Sequence, residues 1–107
     1  MAKLKKAEIA EGKKIIADIK DYIIECGGSY SDWYAGITGD IDQRLFVEHN
    51  VKKKGGAWIF FKASSSVIAR KIEKYFIDNC KTKGGPGGGD DDSVNIYAYK
   101  ITKYTVE

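Results

Sequence analysis

A tyrosine, an arginine and the chain's only histidine stand around one short stretch, SDWYAGITGDIDQRLFVEH, at residues 31–49. Arg44 carries planar donors that match two phosphate oxygens, and its charge persists at any working pH. His49 has an unperturbed pKa of about 6.5, so it suits either binding a phosphate or relaying a proton. Packing alone does not demand that set at one turn. The surrounding sequence must say what positions these residues and whether they form a reactive site or a piece of scaffold.

The stretch opens as a strand, WYAGIT, and Asp40 is placed to cap a helix over IDQRLFVEHN. Upstream, Ile9, Ile15, Ile16, Ile19, Tyr22, Ile23 and Cys26 recur at threes and fours, which predicts an amphipathic helix over about 4–26. Gly27 and Gly28 supply its end, and Gly12 is a weak point in its first turns. AWIFFKA reads as a second strand, and the serines at 64–66 stop it and cap the next helix, whose stripe runs Val67, Ile68, Ile72, Tyr75, Phe76 and Cys80. A glycine-rich loop at 84–92 precedes a closing strand over 93–103. Three short strands among three helices predict one small α+β domain, an antiparallel three-stranded sheet flanked by helices.

A chain of 107 residues fits one domain. With 43% hydrophobic and 31% charged residues it has a globular composition, and two tryptophans, seven tyrosines and four phenylalanines exclude a disordered chain. The net charge of +3 permits a phosphate-bearing partner without requiring one. Its lysines are clustered: Lys3, Lys5 and Lys6; Lys52, Lys53 and Lys54; and Arg70, Lys71 and Lys74. Cys26 and Cys80 have no CxxC spacing, so no zinc site is expected. MAKLKKAEIAEGKK lacks the apolar core of an export signal, and no apolar run approaches a membrane span. The expectation is a cytoplasmic protein with reduced thiols and no membrane partner.

WYAGITGDIDQRL resembles the second half of the GIY-YIG nuclease motif, a Tyr-x-Gly strand that bends through a small polar residue into a helix bearing an arginine. Tyr34 stands at the tyrosine, Gly36 at its glycine, Thr38 at the bend and Arg44 at the arginine, with Gly36 and Thr38 expected to form the structural turn. ARKIEKYF is similar to the later helix of that family and places Glu73 at its metal-holding glutamate. The resemblance covers residues 33–76, about two-fifths of the chain. It implies a divalent-metal-dependent endonuclease acting on DNA or RNA. Phosphodiester hydrolysis needs an activated water, a counter-charge for the developing oxyanion and a Lewis acid. By resemblance, Tyr34 orients or helps deprotonate the water, Arg44 stabilises the transition state, and Glu73 holds one Mg2+ or Mn2+. His49 is a further phosphate ligand or proton relay. Lys52, Lys53, Lys54, Arg70 and Lys74 are the expected nucleic-acid contacts.

Two features depart from the family pattern. Its histidine lies four residues after the arginine, whereas His49 lies five after Arg44, a rotation of roughly 100° on an α-helix. Its first, GIY strand has no evident counterpart. Either Tyr22, in a strand over YIIEC, or Tyr97, brought in by the closing strand, would supply the missing hydroxyl.

Ordinary readings stand beside these. Tyr34 and Trp33 also suit sheet aromatics, Arg44 an exposed helix residue, Glu73 a surface ladder with Arg70 or Lys74, and His49 a charge at a helix C-terminus. GGPGGG lacks the lysine and hydroxyl residue of a P-loop, and Asp90, Asp91 and Asp92 lack EF-hand spacing. Both read as a solvated loop. Two other functions therefore remain open: a catalytically inactive nucleic-acid-binding module, and a protein-interaction module of an inhibitory or mobile-element kind. The sequence leaves the oligomeric state open.

Overall fold

The computed structural model describes residues 4–84 and 93–107, so Lys3 and most of the glycine-rich loop, with Asp90, Asp91 and Asp92, lie outside the described residues. Helix α1 spans Lys6–Cys26, strand β1 Trp33–Thr38, a π-helix Asp42–Glu48, strand β2 Trp58–Lys62, helix α2 Ser66–Tyr75 and strand β3 Asn95–Lys100. A π-helical turn, Phe76–Cys80, extends α2. The class is α+β with one small antiparallel sheet.

α1 runs unbroken through Gly12 and ends at Gly27, whose φ of 90° favours glycine. Ser65 caps α2 by accepting from the Ile68 N–H at 3.3 Å. Ile15, Ile19 and Ile23 of α1 meet Ile68, Ala69, Ile72 and Phe76 of α2 over Trp33, Ala35, Ile37, Ile96 and Ala98 of the sheet. The helices thus cover one sheet face, with Ile59 and Phe61 of β2 partly buried at its edge. Cys26 and Cys80 are free thiols. Among the described residues no helix is long and apolar enough to cross a membrane.

The last strand takes the central place. The sheet order is β1-β3-β2, and β3 is antiparallel to both neighbours. β1 and β2 are therefore parallel to each other with an open slot between them, which no hairpin can connect. β3 fills that slot with Ile96, Tyr97, Ala98 and Tyr99, all buried. It is shorter than the predicted 93–103. Beyond Lys100 the chain leaves the sheet, turns through Thr102 and Thr105, and returns so that the Val106 N–H donates to the His49 carbonyl at 2.8 Å.

Candidate functional site

The register of β3 lays three rows across the other sheet face, where Leu45 of the π-helix and Val51 bury Tyr97 and Tyr99. Tyr34, Tyr99 and Trp58 form one row, Gly36, Tyr97 and Phe60 the next, and Thr38, Asn95 and Lys62 the third. These positions share a face because alternate strand residues point the same way. Tyr34 stacks on Tyr99 with ring centres 5.2 Å apart, and it meets the His49 ring at 4.8 Å.

Gly36 belongs inside β1 and not at a turn, which corrects the turn role expected of it. A Cβ at position 36 would fall on the Tyr97 hydroxyl and ring carbon Cζ. The glycine thus makes room for the tyrosine of the central strand. Gly36→Ala is expected to cost about 1–3 kcal/mol, the range for forcing extra volume into a packed site, read by urea denaturation. Thr38 does occupy the turn: its Oγ1 accepts from the Asp40 N–H at 3.0 Å. Asp40 in turn accepts from the Gln43 N–H at 3.1 Å, the predicted cap.

The π-helix changes where His49 lies. Its N–H bonds to the Arg44 carbonyl, five residues back, at 2.9 Å. A π-helix turns less per residue than an α-helix, so the fifth residue lies closer to one full turn from Arg44 and the 100° displacement expected from α-helical geometry does not apply. Buried at 4% exposure, His49 is not an open phosphate ligand. Its Nδ1 lies 2.6 Å from the Val106 carbonyl oxygen and its Nε2 lies 2.8 Å from the Tyr97 hydroxyl. A carbonyl only accepts, so Nδ1 carries the proton, and the neutral ring's Nε2 accepts from the Tyr97 O–H. Burial lowers the His49 pKa, the Val106 carbonyl opposes that, and Arg44 lowers it further. His49 is therefore a neutral proton acceptor at pH 7, which also removes its reading as a helix-terminal charge.

Tyr97 is the hub of the site. Burial raises its pKa most; Tyr34 raises it further, Arg44 lowers it, and Tyr99 and Glu73 raise it again. Of these groups Tyr34 is the one whose ring packs directly beside Tyr97, with centres 6.4 Å apart and planes 16° from parallel. Tyr22 takes no part: it lies in α1, packs edge-on against Trp33 and accepts from the Trp58 N–H at 3.1 Å. The strand reading of YIIEC is corrected accordingly.

Arg44 is partly buried, its side chain 30% exposed. Its Nε lies 3.4 Å from Glu48 Oε1 yet makes no hydrogen bond. A buried donor left unspent calls for an explanation, and a ligand oxygen is one. Glu73 is only 6% exposed and makes no hydrogen bond or ion pair with any described residue, so it is not a surface ladder residue. Burial pushes its pKa up to about 7 against the pull of Arg70, one turn earlier on α2.

Among the described residues no group of three or more His, Cys, Asp or Glu is placed to hold a metal. A full protein cage is therefore not formed there. The donor set does fit a hard divalent cation held by one carboxylate with water and substrate phosphate completing its shell, the usual mode for magnesium.

Lys52, Lys53 and Lys54 are exposed in the turn before β2. Lys52 lies over the Tyr104 ring at 5.2 Å, and Lys53 lies over Phe46 at 5.3 Å and 3.9 Å from Asp42. Lys74 is exposed on α2, and Arg70 is partly buried.

Sequence reasoning missed Tyr99 and the Val106 carbonyl. The Tyr99 hydroxyl lies 3.1 Å from His49 Nδ1 and donates to Val106 at 3.3 Å. Strand alternation carried a signal for Tyr99, two residues from Tyr97; nothing in the sequence marked the returning tail. In comparisons with known proteins, no family model, curated protein or solved structure matches the chain.

Proposed function

We propose that the protein binds nucleic acid and hydrolyses its phosphodiester backbone, with one Mg2+ or Mn2+ held by Glu73. The observation that carries this reading is the cluster in which the Tyr97 hydroxyl donates to His49 Nε2 and the Tyr34 ring packs beside both, one turn from Arg44, whose Nε has no hydrogen-bond partner. The layout resembles a GIY-YIG domain in which the closing strand takes the place of the missing first strand and Tyr97 stands in for its tyrosine. The order of the sheet supports that reading, since β3 is central and pairs in register with the Tyr-x-Gly strand.

Each residue has a part. Tyr34, partly exposed above the buried pair, orients the attacking water. Tyr97, buried and bonded to His49 Nε2, holds the Tyr34 ring that stacks beside it. Arg44 offers its unspent donors to the non-bridging phosphate oxygens. The cation, when bound, polarises a phosphate oxygen and stabilises the leaving group. The lysines at 52–54, with Arg70 and Lys74, supply attraction to the backbone, so binding should weaken steeply with salt.

Both titrating groups act in one direction with pH. His49 must be neutral and Glu73 ionised, so the cleavage rate is expected to rise with pH and level off above about 7 at low magnesium. Raising magnesium should move the midpoint to lower pH, because the cation competes with the Glu73 proton. The test is a pH–rate profile on plasmid and single-stranded RNA at two magnesium concentrations, with a chelator control. Cleavage that survives chelator, or a midpoint that ignores magnesium, would count against the assignment of Glu73.

A further inference from the structure

Beside the site, on the same sheet face, an aromatic surface remains that the proposed chemistry does not use. Phe60 stands across β3 from Tyr97, in the Gly36–Tyr97–Phe60 row. It is 42% exposed, whereas its strand neighbours on the opposite face, Ile59 and Phe61, are partly buried against the core. Trp58 braces it, with ring centres 6.4 Å apart and planes 13° from parallel. Trp58 is itself fixed: its indole N–H donates to the Lys53 carbonyl at 3.1 Å, and Phe46 packs edge-on against it at 5.0 Å. The Phe60 ring is thus supported from within the sheet and open to solvent.

The surroundings favour an anionic partner. Lys62 is exposed in the next row of the same face, and Lys53 lies over Phe46, which packs on Trp58. The acidic neighbour is Asp42, and Lys53 stands 3.9 Å from it. An exposed aromatic ring with lysines on the same side of the sheet suits a nucleobase with its phosphate. Neighbouring strands lie about 4.8 Å apart, so a base on Phe60 carries its backbone beside Tyr97. A base within a duplex already has both faces stacked and cannot lie on Phe60. A base that is unpaired or swung out can.

We infer that Phe60, braced by Trp58, is a stacking platform for an unpaired nucleobase, so that the site takes single-stranded or locally unpaired nucleic acid; this rests on the nuclease reading above. It adds a substrate class to that reading and a residue to read it with.

The test uses the full chain in calcium buffer, with oligonucleotides carrying 2-aminopurine at one position. DNA and RNA versions are compared as single strands, hairpin loops and full duplexes. The wild type should bind the unpaired forms more tightly and change the probe's fluorescence. Phe60→Ala should weaken binding of those forms by roughly 5- to 100-fold, the range for loss of one stacking ring, with Phe60→Trp restoring it. Binding that is unchanged in Phe60→Ala, or tighter for duplex, overturns the inference. So does Phe60-dependent self-association in sedimentation with oligonucleotide binding unaltered, which would make the surface a protein interface. Phe60-dependent binding of single strands without metal-dependent cleavage would uphold the platform and sink the nuclease reading alone.

Discussion

Glu73→Gln should give a protein that is more stable above neutral pH than the wild type and unable to cleave nucleic acid. In the unfolded chain the carboxyl titrates near its ordinary 4.5, and in the fold burial raises it to about 7. Between those values the folded protein binds the additional proton. Stability from this group is therefore present at low pH, falls as pH rises from about 4.5 to about 7, and stays flat above. A gap of that size corresponds to a little over about 3 kcal/mol before solvent screening, so about 1–3 kcal/mol is the expected gain of the variant at pH 8. Near pH 4 the two proteins should unfold at similar urea concentrations. Magnesium should narrow the difference at pH 8, because it binds the folded wild type through the carboxylate that the variant lacks. A residue kept at a cost in stability fits a site and does not fit scaffold. If the variant were less stable than the wild type at pH 8, the burial argument would fail.

Arg44→Lys should cut the cleavage rate by a factor of about 100 to 1,000, the range for loss of one preorganised oxyanion donor, and leave the fold nearly untouched. Lysine keeps the charge but loses the fork, and a single ammonium cannot engage two phosphate oxygens in one plane. The native pairing with Glu48 is a partly exposed contact four residues along the π-helix, without a hydrogen bond. Its loss should alter stability by no more than about 0.5 kcal/mol. The effect should fall on kcat, with oligonucleotide affinity in calcium changed only slightly, because the forked contact matters most when charge develops on the phosphate. Single-turnover kinetics and urea denaturation of the same preparations separate the two quantities. Equal turnover in the lysine variant would remove Arg44 from the chemistry.

The elements that carry a strong local period were legible in the sequence. α1 and α2 followed from apolar positions at threes and fours, their ends from Gly27 and Ser65, and β1 from its short apolar run. The segment after Asp40 was legible as a helix but not as a π-helix. Capping and apolar spacing are shared by both, and the difference lies in which carbonyl the His49 N–H reaches. That one register change decides whether Arg44 and His49 serve the same site.

The sheet order was the largest gap. Alternation shows that Tyr97 and Tyr99 share a face, but it cannot show that the last strand fills the slot between the first two. The burial of Glu73 was hidden for a similar reason. It follows Ile72 on α2 among charged residues, and only the packing of that helix against the sheet removes its carboxylate from water. Gly36 carried a readable identity whose physical reason lay on another strand.

The most direct measurement is cleavage of supercoiled plasmid and single-stranded RNA by wild type and Glu73→Gln, in magnesium, manganese or chelator, with both proteins confirmed folded by melting. The account predicts metal-dependent cleavage by the wild type and none by the variant. Failure of the folded wild type to cleave either substrate with either metal, or equal cleavage by the variant, would contradict a catalytic site at Tyr34, Arg44, His49, Glu73 and Tyr97.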